Sequence, residues 1–334
     1  MSYSKVIIFT FYIIFALVAI WAGVQAWQSQ AKTETIHPYK AFLHLFVFYE
    51  TYLFFPMAIF SIVGIYLGRF SWVQGISLFI ISVFIIYARF IEPNWIQVKH
   101  TAYSWDKPLQ HPVKIALIAD VHVGLFSGHE SQLKRVVEKI NQEQPDLVVV
   151  AGDWTYEPEN TLADELYMLK EIKAPVYSVN GNHDEEVPGP PIQQLLADAL
   201  HQNNVMDIEK KVIEFDEFRL IGVGDMWAGK SDMEMMHKLP QDKPWIILSH
   251  NPDTVEMVPE LPTHPLMLSG HTHGGQVYIP WLTDYVLKQI SIVGHNNGLY
   301  QHKNADVYVT VGTGMVGVPF RFLIRPTVDI IELK

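Results

Sequence analysis

Between Lys5 and Lys32 no residue carries a formal charge, and Val6 to Val24 is almost continuously apolar. A helix of that length crosses a hydrocarbon core of roughly 30 Å, where each backbone N–H and C=O must be satisfied within the segment. The run is longer than the apolar region of a signal peptide, and no convincing small-residue cleavage site follows it, so a retained span is expected. Two more runs follow: 41–67 carries one charge, Glu50, and 70–88 carries none. The pattern predicts three transmembrane helices near 6–27, 42–67 and 71–90. A buried hairpin is the alternative, but three such runs in succession would overfill a soluble core. Pro56 lacks a backbone donor and is expected to kink the second helix. Glu50 and His44 lie within that span, where ionisable groups are costly and either serve function or face neighbouring helices.

Charge divides the chain in the same place. Up to Pro93 there are five Lys/Arg and three acids, whereas the remainder carries 19 basic and 32 acidic residues, a net of −13. Without a polybasic run, a nucleic-acid surface built on phosphate neutralisation is excluded. Cysteine is absent, which rules out disulfides and thiolate metal sites. Residues 1–92 are thus expected to form a transmembrane region, 93–112 a linker with prolines at 93, 108 and 112, and 113–334 a soluble body. With three spans, a cytoplasmic body puts Lys32, Lys40, Arg89 and Lys99 at inner flanks and Lys5 and Arg69 at outer ones. The positive-inside rule therefore leans towards an integral inner or plasma membrane protein with a cytoplasmic body.

Within the body, short apolar runs end in the same kinds of residue. "VKIALIAD" ends in Asp120 with His122 beyond it, and "PDLVVVAGD" ends in Asp153. "APVYSVNGNHD" ends in Asn182, His183 and Asp184. "PWIILSH" ends in His250, and "PLMLSGHTH" ends in His271 and His273. Residues 131–144 carry apolar positions 133, 136, 137 and 140, which is helical spacing. The alternating stretch "KKVIEFDEFRLIG" reads as a hairpin. In open α/β sheets, sites gather beyond the carboxyl ends of the strands, so these runs would pool their polar ends in one cleft. Gly270, Gly274 and Gly275 permit a tight path around the two close histidines.

Imidazole with carboxylate and no thiolate suits Mn, with Fe or Zn as alternatives, better than Ca or Mg. Seven metal-capable groups are too many for one ion with an open position. They suit two divalent ions roughly 3.5–4 Å apart sharing a carboxylate. Asp153, alone at its strand end, is the natural bridge. Any one of these residues alone would more often be a turn residue or a satisfied histidine; the ordered set is what carries weight.

Taken together, D-x-H (120–122), G-D (152–153), G-N-H-D (181–184), His250 and G-H-T-H (270–273) resemble the calcineurin-like metallophosphoesterase superfamily in motif order, over roughly 113–334. "LSGHTHGGQ" and the closing "GTGMVGVPFRFLIRPTVDIIEL" are similar to its membrane-associated bacterial branch, which includes phosphodiesterases and pyrophosphatases acting on lipid-linked substrates such as UDP-diacylglucosamine. The resemblance implies an α/β, two-sheet αββα sandwich with the site at one edge. It implies that Asp120, His122, Asp153 and His273 hold one metal and Asp153, Asn182, His250 and His271 the other. It also implies that His183 is a non-ligand acid beside the phosphate, oriented by Asp184. Trp154 departs from the family pattern, where a small aliphatic residue is usual, and is expected at the cleft wall. Arg321 is a candidate for a bidentate contact to a substrate phosphate, or else a structural ion pair.

The expected function is hydrolysis of a phosphodiester or pyrophosphate, with a water activated between two cations and His183 protonating the leaving oxygen. A phosphorylated, lipid-linked substrate and the membrane are the expected partners. The alternative is a catalytically silent metal-binding membrane sensor or scaffold, against which the intact His183-Asp184 pair counts. A metalloprotease is excluded by the absence of H-E-x-x-H.

Overall fold

The computed structural model describes residues 3–30, 38–106, 109–158, 161–187, 189 and 192–334. Three helices are long and apolar enough to cross a membrane: Tyr3–Ser29, Pro38–Tyr66 and Trp72–Asn94. They comprise α1 (Tyr3–Gln30), α2 (Pro38–Glu50), α3 (Phe54–Tyr66) and α4 (Trp72–Ile86). A 3-10 turn at Thr51–Leu53 joins α2 to α3. That tightening comes one turn before Pro56, which has no N–H to return to the preceding turn. The α4 start is set by a capping box: Gln74 N–H donates to Ser71 Oγ at 3.2 Å, and Ser71 N–H donates to Gln74 Oε1 at 3.0 Å. The first helix hardly touches the body, with 6% of its apolar window buried, so the buried-hairpin alternative does not hold.

The body contains β1 (Gln97–Tyr103), β2 (Val113–Ile118), β3 (Val123–Gly124), α5 (His129–Glu143), β4 (Leu147–Ala151), β5 (Thr155–Tyr156), α6 (Leu162–Glu165), β6 (Val176–Val179), α7 (Gln193–Gln202), β7 (Val205–Asp207), β8 (Val212–Glu214), β9 (Arg219–Gly222), β10 (Trp245–Leu248), β11 (Leu266–Ser269), α8 (Leu282–Ile290), β12 (Gly298–Gln301), β13 (Asp306–Val309) and β14 (Thr327–Leu333). One six-stranded sheet has the order β1-β14-β2-β4-β6-β7 and the other β12-β13-β11-β10-β9-β8. Both are mixed, with parallel centres; β8 and β9 form the expected antiparallel hairpin.

Why the strands are continuously apolar is visible in β4. Val148 and Val150 face α5 and α7, while Leu147, Val149 and Ala151 face the second sheet. A strand covered on both sides has no polar face. α5 buries Leu133, Val136, Val137 and Ile140, the predicted stripe. The outer face of the second sheet is covered by loops and short 3-10 turns that bring Met236 and Val255 onto Ile221 and Ile247. The architecture is the expected α/β two-sheet sandwich behind membrane-spanning helices.

The stretch 93–112 is more than a connector. Residues 97–103 form β1, an edge strand running parallel to β14 from Gln97 opposite Thr327 to Tyr103 opposite Leu333. The spans also touch the body directly. Phe48 stacks on Phe126 with centroids 5.3 Å apart, and the Arg89 guanidinium lies 4.0 Å over the Phe48 ring. Phe84 meets Phe322 edge-on at 4.7 Å, and Arg321 N–H donates to Ala88 O at 2.9 Å.

Candidate metal centre

The strand ends deliver their polar residues as the sequence predicted. Asp120 follows β2, Asp153 β4, Asn182 β6, His250 β10, and His271 with His273 β11. All six, with His122, are buried. Tight turns put Asp120, His122, Asp153, His271 and His273 at left-handed φ values of 53°, 51°, 55°, 72° and 51°. Glycine makes the close packing around them possible: a Cβ on Gly312, itself at φ +69°, would lie 2.6 Å from Asp120 Oδ2, and one on Gly270 would lie 2.8 Å from it.

The distances define two lobes. In one, His122 Nε2 faces His273 Nε2 at 3.0 Å, with Asp120 Oδ1 3.4 Å from the latter. In the other, His271 Nδ1 lies 2.9 Å from Asn182 Oδ1 and 3.1 Å from His250 Nε2. Asp153 Oδ2 stands between them, 3.6 Å from His122 Nε2 and 3.3 Å from His250 Nε2. Asp120 reaches towards both lobes: one ligand-type atom each from Asp120, Asp153 and His250 falls within 4.8 Å, as does one each from Asp120, His122 and His273.

The outer hydrogen bonds decide what these atoms are. His250 Nδ1 meets Ala151 O at 2.7 Å, His271 Nε2 meets Ile290 O at 3.1 Å, and His122 Nδ1 meets Thr155 O at 3.0 Å. A carbonyl only accepts, so each of these nitrogens carries a proton, and in the neutral ring the other nitrogen presents a lone pair. Asn182 Nδ2 donates to Val187 O at 2.8 Å, which turns its Oδ1 towards the histidines. In the second lobe His250 Nε2, His271 Nδ1 and Asn182 Oδ1 therefore converge, and once His250 is in its neutral, ligating form all three are acceptors. Such convergence repels unless a cation lies among them, and backbone carbonyls holding the far nitrogens are the usual support for ligating histidines. The donor set fits divalent metal.

Electrostatics follows burial. His122 and His271 are pushed down to about 3, first by desolvation and then by neighbouring imidazoles, so both stay neutral as ligands must. Burial, then His122, likewise depresses His273. Burial raises Asp120 to about 7, with Asp153 adding to the rise. Burial opposes ionisation of Asp153 too, but His250 and His183 outweigh it and hold that carboxyl well below the ordinary range. Burial also opposes protonation of His250, yet Asp153 and then Asp120 lift it to about 10.

His183 stands apart from the convergent nitrogens. It is half-buried and lines a cavity of about 370 Å³ with Asp153, Asn182, His271 and His273. Its backbone N–H donates to Asp153 Oδ1 at 3.0 Å, and its ring meets those of His122 and Tyr156 edge-on. Asp184 does not act on the His183 ring as expected. Its carboxylate accepts from Trp154 N, Thr155 N and Gly181 N at 3.1, 3.1 and 3.0 Å, and from Thr155 Oγ1 at 2.9 Å. It therefore clamps the Asp153 loop to the Asn182 loop and positions His183 through the backbone.

Two expectations fail on burial. Arg321 is fully buried and donates from Nε to Gly314 O at 2.9 Å and from Nη2 to Val311 O at 3.1 Å; its guanidinium is structural. Trp154 is not at the cleft wall; it lies in the core between the first sheet and its helices, donating from Nε1 to Ser178 Oγ at 2.7 Å. The sequence reading also missed Tyr156, Asp225 and Trp227. Tyr156 lies between His183 and His44 of α2, its hydroxyl 3.4 Å from His44 Nδ1. Trp227 meets His271 edge-on at 4.5 Å, and buried Asp225 helps raise His250. Both lie beyond β9; the strand-end rule applied to "RLIGVGD" would have found Asp225, with Trp227 two residues further on.

A buried Asp/His/Asn centre on the strand ends of a two-sheet sandwich defines a metal-dependent phosphoesterase. Residues 113–296 match the calcineurin-like phosphoesterase family, and the chain belongs to it. It is 29% identical over 259 residues to a Bacillus subtilis protein named uncharacterized metallophosphoesterase YkuE, covering 74% of this chain and 89% of that one. It is 29% identical over 255 residues to an Escherichia coli protein named phosphodiesterase YaeI, covering 74% and 92%. A Danio rerio protein named transmembrane protein with metallophosphoesterase domain is 29% identical over 239 residues, 66% of this chain and 53% of that one.

Proposed function

We propose that this chain is a membrane-anchored dinuclear-metal phosphohydrolase that cleaves a phosphodiester or pyrophosphate, with a lipid-linked molecule as its substrate. The observation that carries the dinuclear reading is the place of Asp153 Oδ2, within 3.6 Å of one histidine lobe and 3.3 Å of the other. Asp120, His122, Asp153 and His273 would hold one ion, and Asp153, Asn182, His250 and His271 the second. Nitrogen and oxygen donors without thiolate suit Mn, Fe or Zn better than Ca or Mg, and Mn is the first candidate. When bound, the pair supplies an acidified water and a clamp on phosphate oxygens.

The chain's own residues do the rest. The Asp184 clamp fixes both ligand loops, and the His183 N–H on Asp153 sets the imidazole beside the ligand cluster. His183 delivers a proton to the leaving oxygen, a contribution of about 10²–10⁴-fold. Val286, Ile290, Val316 and Val318 give the cavity an apolar wall. The lysine and arginine distribution favours a cytoplasmic body at the inner leaflet, although Lys32 lies outside the described residues. That placement suits a phosphate whose acyl chains stay in the bilayer.

His183→Ala is the test of roles. Turnover of bis-p-nitrophenyl phosphate should fall about 10²–10⁴-fold while metal content stays near that of the parent. Loss of the metals with the imidazole would make His183 a ligand and overturn the assignment.

A further inference from the structure

The cavity beside the ligands has a second character on its outward side. α8 has three faces at helical spacing. Thr283, Leu287 and Ile290 turn inwards; Asp284 and Lys288 are exposed on the polar side; Leu282, Tyr285 and Val286 form an exposed apolar stripe. Just before the helix Trp281 is 86% exposed at φ +63°, and just after it Ile292 is 86% exposed. These are not loose ends. Thr283 Oγ1 accepts from Ile279 N–H at 2.7 Å, and the Ile292 N–H donates to buried Asp253 at 2.7 Å. A soluble surface rarely braces large apolar groups so firmly into water.

The position of the stripe says what covers it. Tyr278 N–H donates to Phe322 O at 2.8 Å, and the Phe322 ring packs on Phe84 and Tyr87 of the third spanning segment. The next residue, Leu323, is exposed at φ +59°. The apolar face is therefore continuous with a segment long and apolar enough to lie in the bilayer. Its content of Trp and Tyr beside aliphatic residues, with Lys288 on the polar side, is that of an interfacial helix.

We propose that residues 277–292, with Leu323, form a membrane-docking surface that rests in the headgroup zone of the bilayer crossed by α1–α4. Val286 belongs both to this face and to the cavity wall, and Ile290 O holds the Nε2 proton of His271. The cavity mouth thus opens at the lipid surface. An amphiphile in the same leaflet presents its phosphate to His183 and the ligand cluster while its tail passes along the apolar stripe. This last step rests on the phosphohydrolase reading; the docking does not.

The absence of native cysteine allows a direct test on the full chain in lipid nanodiscs. Trp281→Cys and Tyr285→Cys would each carry a nitroxide label, with Gln241→Cys, before β10 at the opposite sheet end, as reference. Docking predicts a severalfold higher ratio of oxygen to nickel-chelate accessibility at 281 and 285 than at 241. Equal ratios would overturn it, as would labels shielded from both agents, which would mean a protein partner. The label reports depth without turnover, so it stands even where catalysis is absent. Trp281→Ser/Tyr285→Ser should leave hydrolysis of bis-p-nitrophenyl phosphate unchanged and slow that of hexadecyl p-nitrophenyl phosphate in the nanodisc severalfold. A variant as fast as the parent on both substrates would overturn the tail path.

Discussion

Five of the candidate ligands hold backbone that L residues avoid, at a cost of order 1–3 kcal/mol each. The strain is tolerated because the surrounding turns over-determine it: Asp184 clamps two ligand loops, and Gly312 and Gly270 press on Asp120. The charge states add a prediction. Asp120, raised to about 7, and His250, raised to about 10, are both protonated in the metal-free protein at pH 6, and each must lose its proton to ligate. Metal affinity should therefore rise with pH, with about two protons released on loading at pH 6 and about one at pH 8. Calorimetry in buffers of differing ionisation heat measures this; a proton count of zero at both pH values would contradict the assigned states. The clustering of the candidate ligands was legible in the sequence because each lies just beyond a buried, largely apolar run. The action of Asp184 was not, since a carboxylate that clamps backbone and one that orients an imidazole share the same letters.

At the level of elements, what sequence revealed depended on burial. β2, β4, β6, β10 and β11 are covered on both faces over most of their length and stand out as largely apolar runs. β1 is an edge strand with its residues largely half-exposed, so "QVKHTAY" reads like a linker. Arg321 illustrates the same limit: a buried guanidinium bonded to carbonyls and one awaiting a phosphate are indistinguishable before the fold is known. The Arg321 backbone N–H donates to Ala88 O of the third span, and its guanidinium donates to the carbonyls of Val311, Gly314 and Ile324. Arg321→Ala should orphan these buried carbonyls and lower unfolding stability by about 3 kcal/mol or more, at roughly 1–3 kcal/mol per unsatisfied group. The denaturant midpoint of the body should drop while KM for a small diester holds. A raised KM at unchanged stability would restore Arg321 as a substrate contact.

At the scale of the whole molecule, the apolar helices touch the body without supplying candidate ligands, since every candidate ligand lies beyond residue 119. A chain beginning near Trp95 retains β1 and both sheets and loses the Phe48–Phe126 and Phe84–Phe322 contacts. It should fold with a lower melting temperature, bind metal and cleave a small soluble diester; a folded, metal-loaded but inert body would show that the spans complete the site. In the proposed mechanism Asp153 joins two metal lobes that together carry out the hydrolysis. This is tested most directly by measuring metal content and bis-p-nitrophenyl phosphate turnover, with Mn²⁺ added, in the full chain and in Asp153→Ala. Two metals per chain and chelator-sensitive turnover are expected in the parent, with both metal content and turnover lost in Asp153→Ala. Equal, background-level rates in the two proteins would contradict it and leave a metal-binding membrane scaffold in its place.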